Sequence, residues 1–156
     1  MIGLYLGKYQ PFHNGHLSCI EHILKNNNHV VIGVCTKEIP RPLDLLDFKD
    51  LKLIINGALA RIEIDESQYA IVEVPDKNNH AEWIKNTISL CSPFDIVYTN
   101  NPRVKIAFYE QGYVVEELPV SFDCSGTLVR ERLLNSEDIS ELVPPAVSHY
   151  LAQVRS

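Results

Sequence analysis

Val30-Val31-Ile32-Gly33-Val34 is a nearly continuous apolar run, the pattern of a strand whose two faces are both covered by helices. That demand constrains the whole chain, because the covering helices must come from the segments on either side. Ile2 to Leu6 is a second β-rich apolar stretch. Between the two, Leu17, Ile20, Ile23 and Leu24 recur at helical spacing, which predicts an amphipathic helix over 15–26, ended by Asn26-Asn27-Asn28. The first unit therefore reads β-α-β. The alternation continues with Leu51, Leu53, Ile54 and Leu59 on a helix, a strand from Tyr69 to Val74, and a helix carrying Trp83, Ile84, Thr87 and Ile88. Ile96-Val97-Tyr98 is the next strand, 102–111 a helix, and Tyr113 to Leu118 a strand announced by Gly112. Leu128, Val129, Leu133 and Leu134 share a face of a further helix, and Pro144-Pro145 opens a last short one, since proline suits a first turn. Five strands alternating with helices predict one doubly wound, mostly parallel α/β sheet with helices on both faces and right-handed crossovers.

At 156 residues the chain is long enough for a single domain, 1–156, with a real core. Its 14 basic residues against 20 acidic ones leave a net charge of −6, which argues against a broad nucleic-acid surface, where many Lys and Arg must neutralise phosphates. No apolar run approaches the roughly 18 residues of a membrane span, and the start, Met1 to Lys8, has no basic n-region before its short apolar run, so a cytoplasmic protein is expected. Cys19, Cys35, Cys91 and Cys124 are scattered without a C-x-x-C pair and read as reduced packing residues.

The chemistry concentrates in Lys8-Tyr9-Gln10-Pro11-Phe12-His13-Asn14-Gly15-His16, between the first strand and the first helix. Two imidazoles beside the backbone N–H groups of a helix N-terminus make an anion site, Gly15 permits close approach of a ligand, and Lys8 adds charge. Phosphate is the natural guest. Other readings stand beside it: a metal site, for which His13 and His16 lack a third ligand nearby, and a structural turn in which His13 caps and His16 packs. Neither G-x-G-x-x-G nor G-x-x-x-x-G-K-[ST] occurs, which excludes the dinucleotide fingerprint and the P-loop. The proline-broken loop Thr36 to Pro42 follows the second strand and is placed to wall a ligand site, or merely to connect.

Gly7-Lys8-Tyr9-Gln10-Pro11-Phe12-His13-Asn14-Gly15-His16 resembles the G-[RK]-[FYM]-x-P-x-H-x-G-H signature of the nucleotidylyltransferase superfamily. Ser125-Gly126-Thr127-Leu128-Val129-Arg130 matches its second signature. Within the superfamily the chain is most similar to the archaeal-type nicotinamide-nucleotide adenylyltransferases, through Val74 to Trp83, Phe94 to Pro102, Gly112-Tyr113 and Leu142 to Val147. The resemblance implies a Rossmann-like nucleotidyltransferase fold and transfer of AMP from ATP to nicotinamide mononucleotide, giving NAD and pyrophosphate. It implies catalytic roles for His13, His16, Lys8 and Arg130, and ATP contacts from Gly7, Tyr9, Gln10, Phe12, Gly15, Asn100, Ser125, Thr127 and Arg130. Asn78, Asn79 and Trp83 would hold the nicotinamide nucleotide, with the Trp83 ring as a stacking platform or, on its helical spacing alone, a core anchor. Mg²⁺ would enter through the ATP phosphates, with no dedicated protein cage. Relatives are oligomeric, so a homo-oligomer is expected. A Gly-Glu-Arg segment and a loop arginine usual in the family are missing, with Arg41, Lys49 or Lys52 as substitutes. The alternatives are a sister transferase acting on pantetheine phosphate or a flavin nucleotide, and a catalytically silent nucleotide-binding module.

Overall fold

The computed structural model describes residues 1–37, 46–119 and 126–155. The strands are β1 (Ile2–Gly7), β2 (His29–Thr36), β3 (Tyr69–Pro75), β4 (Ile96–Tyr98) and β5 (Val114–Glu116). The helices are α1 (Asn14–Asn26), α2 (Phe48–Arg61), α3 (His80–Cys91), α4 (Pro102–Glu110), α5 (Gly126–Leu134) and α6 (Pro145–Arg155). All four strand pairings are parallel, in the order β3-β2-β1-β4-β5. The chain therefore winds outward first from β1 to β3, then back past β1 to β4, and the switch point lies between β1 and β4. Ligands in open sheets of this kind sit beyond the carboxyl ends of the strands at that switch.

Alternation along the strands divides the core in two. Tyr5, Val30, Ile32 and Val34 pack with Ile20, Ile23, Leu51, Ile55, Val129 and Val147, so α1, α2, α5 and α6 share one face. Leu4, Val31, Val74 and Val97 pack with Ile84, Cys91, Ala107 and Phe108, so α3 and α4 cover the other. Both faces of β2 are buried, as its composition required. Asp47, Asn79 and Asn101 cap α2, α3 and α4 by accepting from backbone N–H groups of the first turn, a service worth about 1 kcal/mol each.

Several expectations need correcting. β5 is shorter than Tyr113–Leu118, since β4, its only partner among the described residues, offers a three-residue ladder from Ile96 to Tyr98. Leu134 is 76% exposed, so it does not join the apolar face assigned to its helix, while Leu53 lies on α2 as expected but is 62% exposed. Cys91 is buried and Cys19 and Cys35 are half-buried, all as free thiols, while Cys124 lies outside the described residues. No helix among the described residues is long and apolar enough to cross a membrane.

Candidate active site

The loop between β1 and α1 leaves the sheet tightly. Tyr9 takes a left-handed φ of 55°, turning its ring back beneath the strand end, where its hydroxyl donates to Tyr5 O at 3.1 Å. A Cβ on Gly7 would lie 2.9 Å from that ring, so only glycine fits there. Tyr9 and Phe12 are buried, and their rings make the floor of the site rather than face a ligand. His16 stacks on Phe12 with centroids 5.5 Å apart and meets the Tyr9 ring edge-on at 4.7 Å.

His13 and His16 cap α1 reciprocally. His16 N–H donates to His13 Nδ1 at 3.3 Å, and His13 N–H donates to His16 Nδ1 at 3.1 Å. An imidazole nitrogen that accepts a backbone N–H carries no proton, so each neutral ring holds its proton on Nε2 and presents it as a donor. The rings stack 3.6 Å apart, which opposes charging both. Burial, and then the nearby Arg130 guanidinium, push His13 down to about 4; burial, and then His13, hold His16 well below the usual range. The helix N-terminus itself is less available than the sequence suggests. Asn14 N–H is already bonded to Leu142 O at 2.9 Å and His16 N–H to His13, so the donors this cluster could offer an anion are chiefly the two Nε2–H groups and the neighbouring cations.

These shifts carry a consequence for stability. Unfolded histidine takes up a proton near pH 6.5, whereas folded His13 resists until about pH 4, so the unfolded state binds more protons between these values. Stability contributed by neutral His13 is therefore present above pH 6.5 and lost as pH falls toward 4. Thermal melts across that window should show wild type losing more than His13→Asn, which keeps a good helix cap. Identical acid slopes would contradict the assignment.

Arg130 reaches the same loop from α5. Its Nη1 donates to Gln10 O at 2.6 Å and its Nη2 to Thr127 Oγ1 at 3.3 Å. A Cβ on Gly126 would stand 2.8 Å from Nη1, so glycine clears the guanidinium's path. Beside this cluster lies a cavity of about 460 Å³, lined among others by Gly7, Lys8, Gln10, Thr36, Lys37 and Trp83. Trp83 is half-buried, with its ring stacked on His80 at 5.9 Å and edge-on to Phe108 at 6.5 Å. It serves core and cavity together.

The structure thus brings together His13, His16, Gln10, Thr127 and Arg130 in one cluster, and Gly7, Lys8, Gln10 and Trp83 around the adjoining cavity, with Gln10 common to both. Gly15 sits in the first turn of α1. Asn79 spends its carboxamide oxygen on the N–H groups of Ala81 and Glu82, and neither Asn78 nor Asn79 lines the cavity. Asn100 exchanges two hydrogen bonds with the backbone of Leu118. Ser125 and Arg41 lie outside the described residues, while Lys49 and Lys52 are exposed on α2 and do not line the cavity. Thr36 at the end of β2 and Lys37 just after it line the cavity, and the rest of the loop lies outside the described residues. Sequence reasoning missed Glu73 and Asp76, which line the cavity from the end of β3; Asp76 pairs with Lys37 at 3.7 Å and Glu73 accepts from Thr36 Oγ1 at 2.9 Å. Cys35 also lines it, but burial pushes its thiol up to about 12, so it is no nucleophile near neutral pH.

The cytidylyltransferase-like family model matches residues 4–132. Nicotinamide-nucleotide adenylyltransferase from Picrophilus torridus is 35% identical, across 99% of this chain and 92% of its own length. The enzyme of that name from Methanolobus tindarius is 36% identical across 96% of this chain and 87% of its own. Among solved structures, a bifunctional NMN adenylyltransferase/ADP ribose pyrophosphatase from Francisella tularensis, complexed with AMP and Mn ion, superposes with a TM-score of 0.73 at 21% identity. It covers 88% of this chain and 43% of that longer one, and shows the shared fold.

Proposed function

The chain belongs to the cytidylyltransferase-like family, and from that premise we propose that it transfers AMP from ATP to nicotinamide mononucleotide, as its curated relatives' names describe. The supporting observation is the reciprocal His13–His16 cap, with Arg130 drawn onto the same loop, whose Gln10 also lines the cavity shared with Lys8 and Trp83. An oxygen of the mononucleotide's phosphate attacks the α-phosphorus of ATP. The bond from that phosphorus to the oxygen bridging to the β-phosphate breaks, and pyrophosphate leaves with the electron pair. Such a displacement asks the protein for alignment and for donors aimed at developing charge. Two Nε2–H groups held in a fixed tautomer supply donors that need no reorganisation. Arg130 and Lys8 supply charge, and the buried aromatic floor keeps the rings from turning.

Among the described residues, no group of three or more His, Cys, Asp or Glu is placed to hold a metal ion. Mg²⁺ would arrive on the ATP phosphates, and Lys8, Arg130 and the histidines would supply the protein's own contacts to phosphate oxygens. When bound, the ion neutralises phosphate charge and helps orient the leaving group.

The acceptor half suits a flat cationic ring, for which Trp83 offers a face within the cavity. Trp83→Ala is expected to weaken mononucleotide binding by about 1–3 kcal/mol, by analogy with base–aromatic stacking, and to spare ATP. Calorimetric titration of both ligands checks this; equal losses for both would make Trp83 a packing residue only.

The experiment for the reading as a whole is pyrophosphate release with ATP and a panel of acceptors: nicotinamide mononucleotide, its nicotinate counterpart, pantetheine phosphate and flavin mononucleotide. Release with the nicotinamide nucleotide, abolished by chelator, is expected. Preference for pantetheine phosphate or the flavin nucleotide would transfer the chain to a sister activity.

A further inference from the structure

Gln10 stands where three segments of the site meet. Its Nε2 donates to Leu46 O at 2.6 Å, and its Oε1 accepts from Leu46 N–H at 2.9 Å. Both functions of the carboxamide are thereby committed to one backbone residue, 36 positions away in sequence, as a neighbouring strand would commit them. Its main-chain carbonyl meanwhile accepts from Arg130 Nη1. Leu46 is buried, and Leu46, Asp47 and Phe48 line the cavity as the chain enters α2. Asn100 does the same on the other side of the switch point: its Nδ2 donates to Leu118 O at 3.0 Å and its Oδ1 accepts from Leu118 N–H at 2.7 Å. Carboxamides just beyond β1 and β4 therefore read backbone in this protein.

We infer that Gln10 is a positioning residue for the transfer step. It locks the histidine loop, the Leu46–Phe48 wall and Arg130 into one unit. The inference rests on the proposed transferase activity. A side chain held by Leu46 at both its oxygen and its nitrogen is fixed in place as a brace between two walls, and slack of about 1 Å between walls that align two substrates can cost on the order of 10²-fold in rate.

Gln10→Glu gives a specific test. Its carboxylate still accepts from Leu46 N–H but sets an oxygen against Leu46 O; a protonated carboxyl restores a donor there. The charged groups around this point are Arg130 and Lys8, with Asp47 directly after Leu46, and the titratable His13 stays neutral down to about pH 4. At pH 8 the variant's kcat should be about 10–100-fold below wild type, with the KM for ATP changed far less. The ratio of variant to wild-type kcat should climb as pH falls to 5, a comparison that cancels titration of the substrates. Gln10→Leu should show the loss without acid rescue, and in the ligand-free protein its Leu46 amide should exchange faster with solvent. A pH-independent ratio for Gln10→Glu, a loss confined to the KM for ATP, or unchanged Leu46 exchange in Gln10→Leu would each overturn the inference. Wild-type protein that makes no NAD would instead sink the proposed activity, and the ligand-free exchange measurement judges the clamp independently of it.

Discussion

Replacing His16 with alanine is expected to lower turnover by about 10²–10³, the scale of losing one preorganised donor to a developing charge. The substitution removes two things: an Nε2–H donor, and the Nδ1 acceptor that takes up His13 N–H. Loss of the second also destabilises the start of α1, so a fall in melting temperature accompanies the fall in rate. His16→Gln separates them. Gln at this third position of a helix is a customary partner in a reciprocal cap, so its Oε1 can accept from His13 N–H and restore the melt. It offers no stacked ring to hold a donor in the same place, and turnover should remain at least about 10²-fold down. Recovery of rate together with stability would reduce His16 to a cap.

Arg130→Ala should cost a comparable factor, about 10²–10³ in kcat/KM for ATP, because one guanidinium both brings charge to the site and ties α5 to Gln10. Arg130→Lys keeps a cation but not the fork that spans Gln10 O and Thr127 Oγ1 in one plane, and so should recover only part of the loss. A second readout does not depend on turnover. Burial is the first cause of His13's depression and Arg130 the second, so removing the guanidinium should raise the His13 pKa from about 4 without returning it to 6.5. A proton NMR titration follows this directly. A His13 titration unmoved by Arg130→Ala would mean that the two groups do not sense each other.

Much of the fold was legible because burial on both faces leaves a plain mark. The apolar run in β2, the period of α1 and α3 and the proline opening α6 each state a local rule that tertiary packing then obeys. Leu53 and Leu134 escaped such reasoning since periodicity places residues on a stripe without showing where the stripe's edge meets solvent. The site was legible as a cluster of residue types, not as an arrangement. No local signal announces that two histidines will cap one helix for each other, since the usual pairing is Ser or Thr with Glu or Gln. Gln10 finding Leu46, and Arg130 finding Gln10 from 120 residues away, are products of strand order and helix placement. The Glu73 and Asp76 lining depends on how β3 ends beside β2, which composition cannot show.

The most direct test is to incubate the purified protein with ATP, Mg²⁺ and nicotinamide mononucleotide and follow NAD and pyrophosphate together. The account predicts that both appear, in equal amounts and at equal rates. ATP bound tightly with neither product formed would contradict it, and would make the chain a nucleotide-binding module that has kept the fold and lost the chemistry.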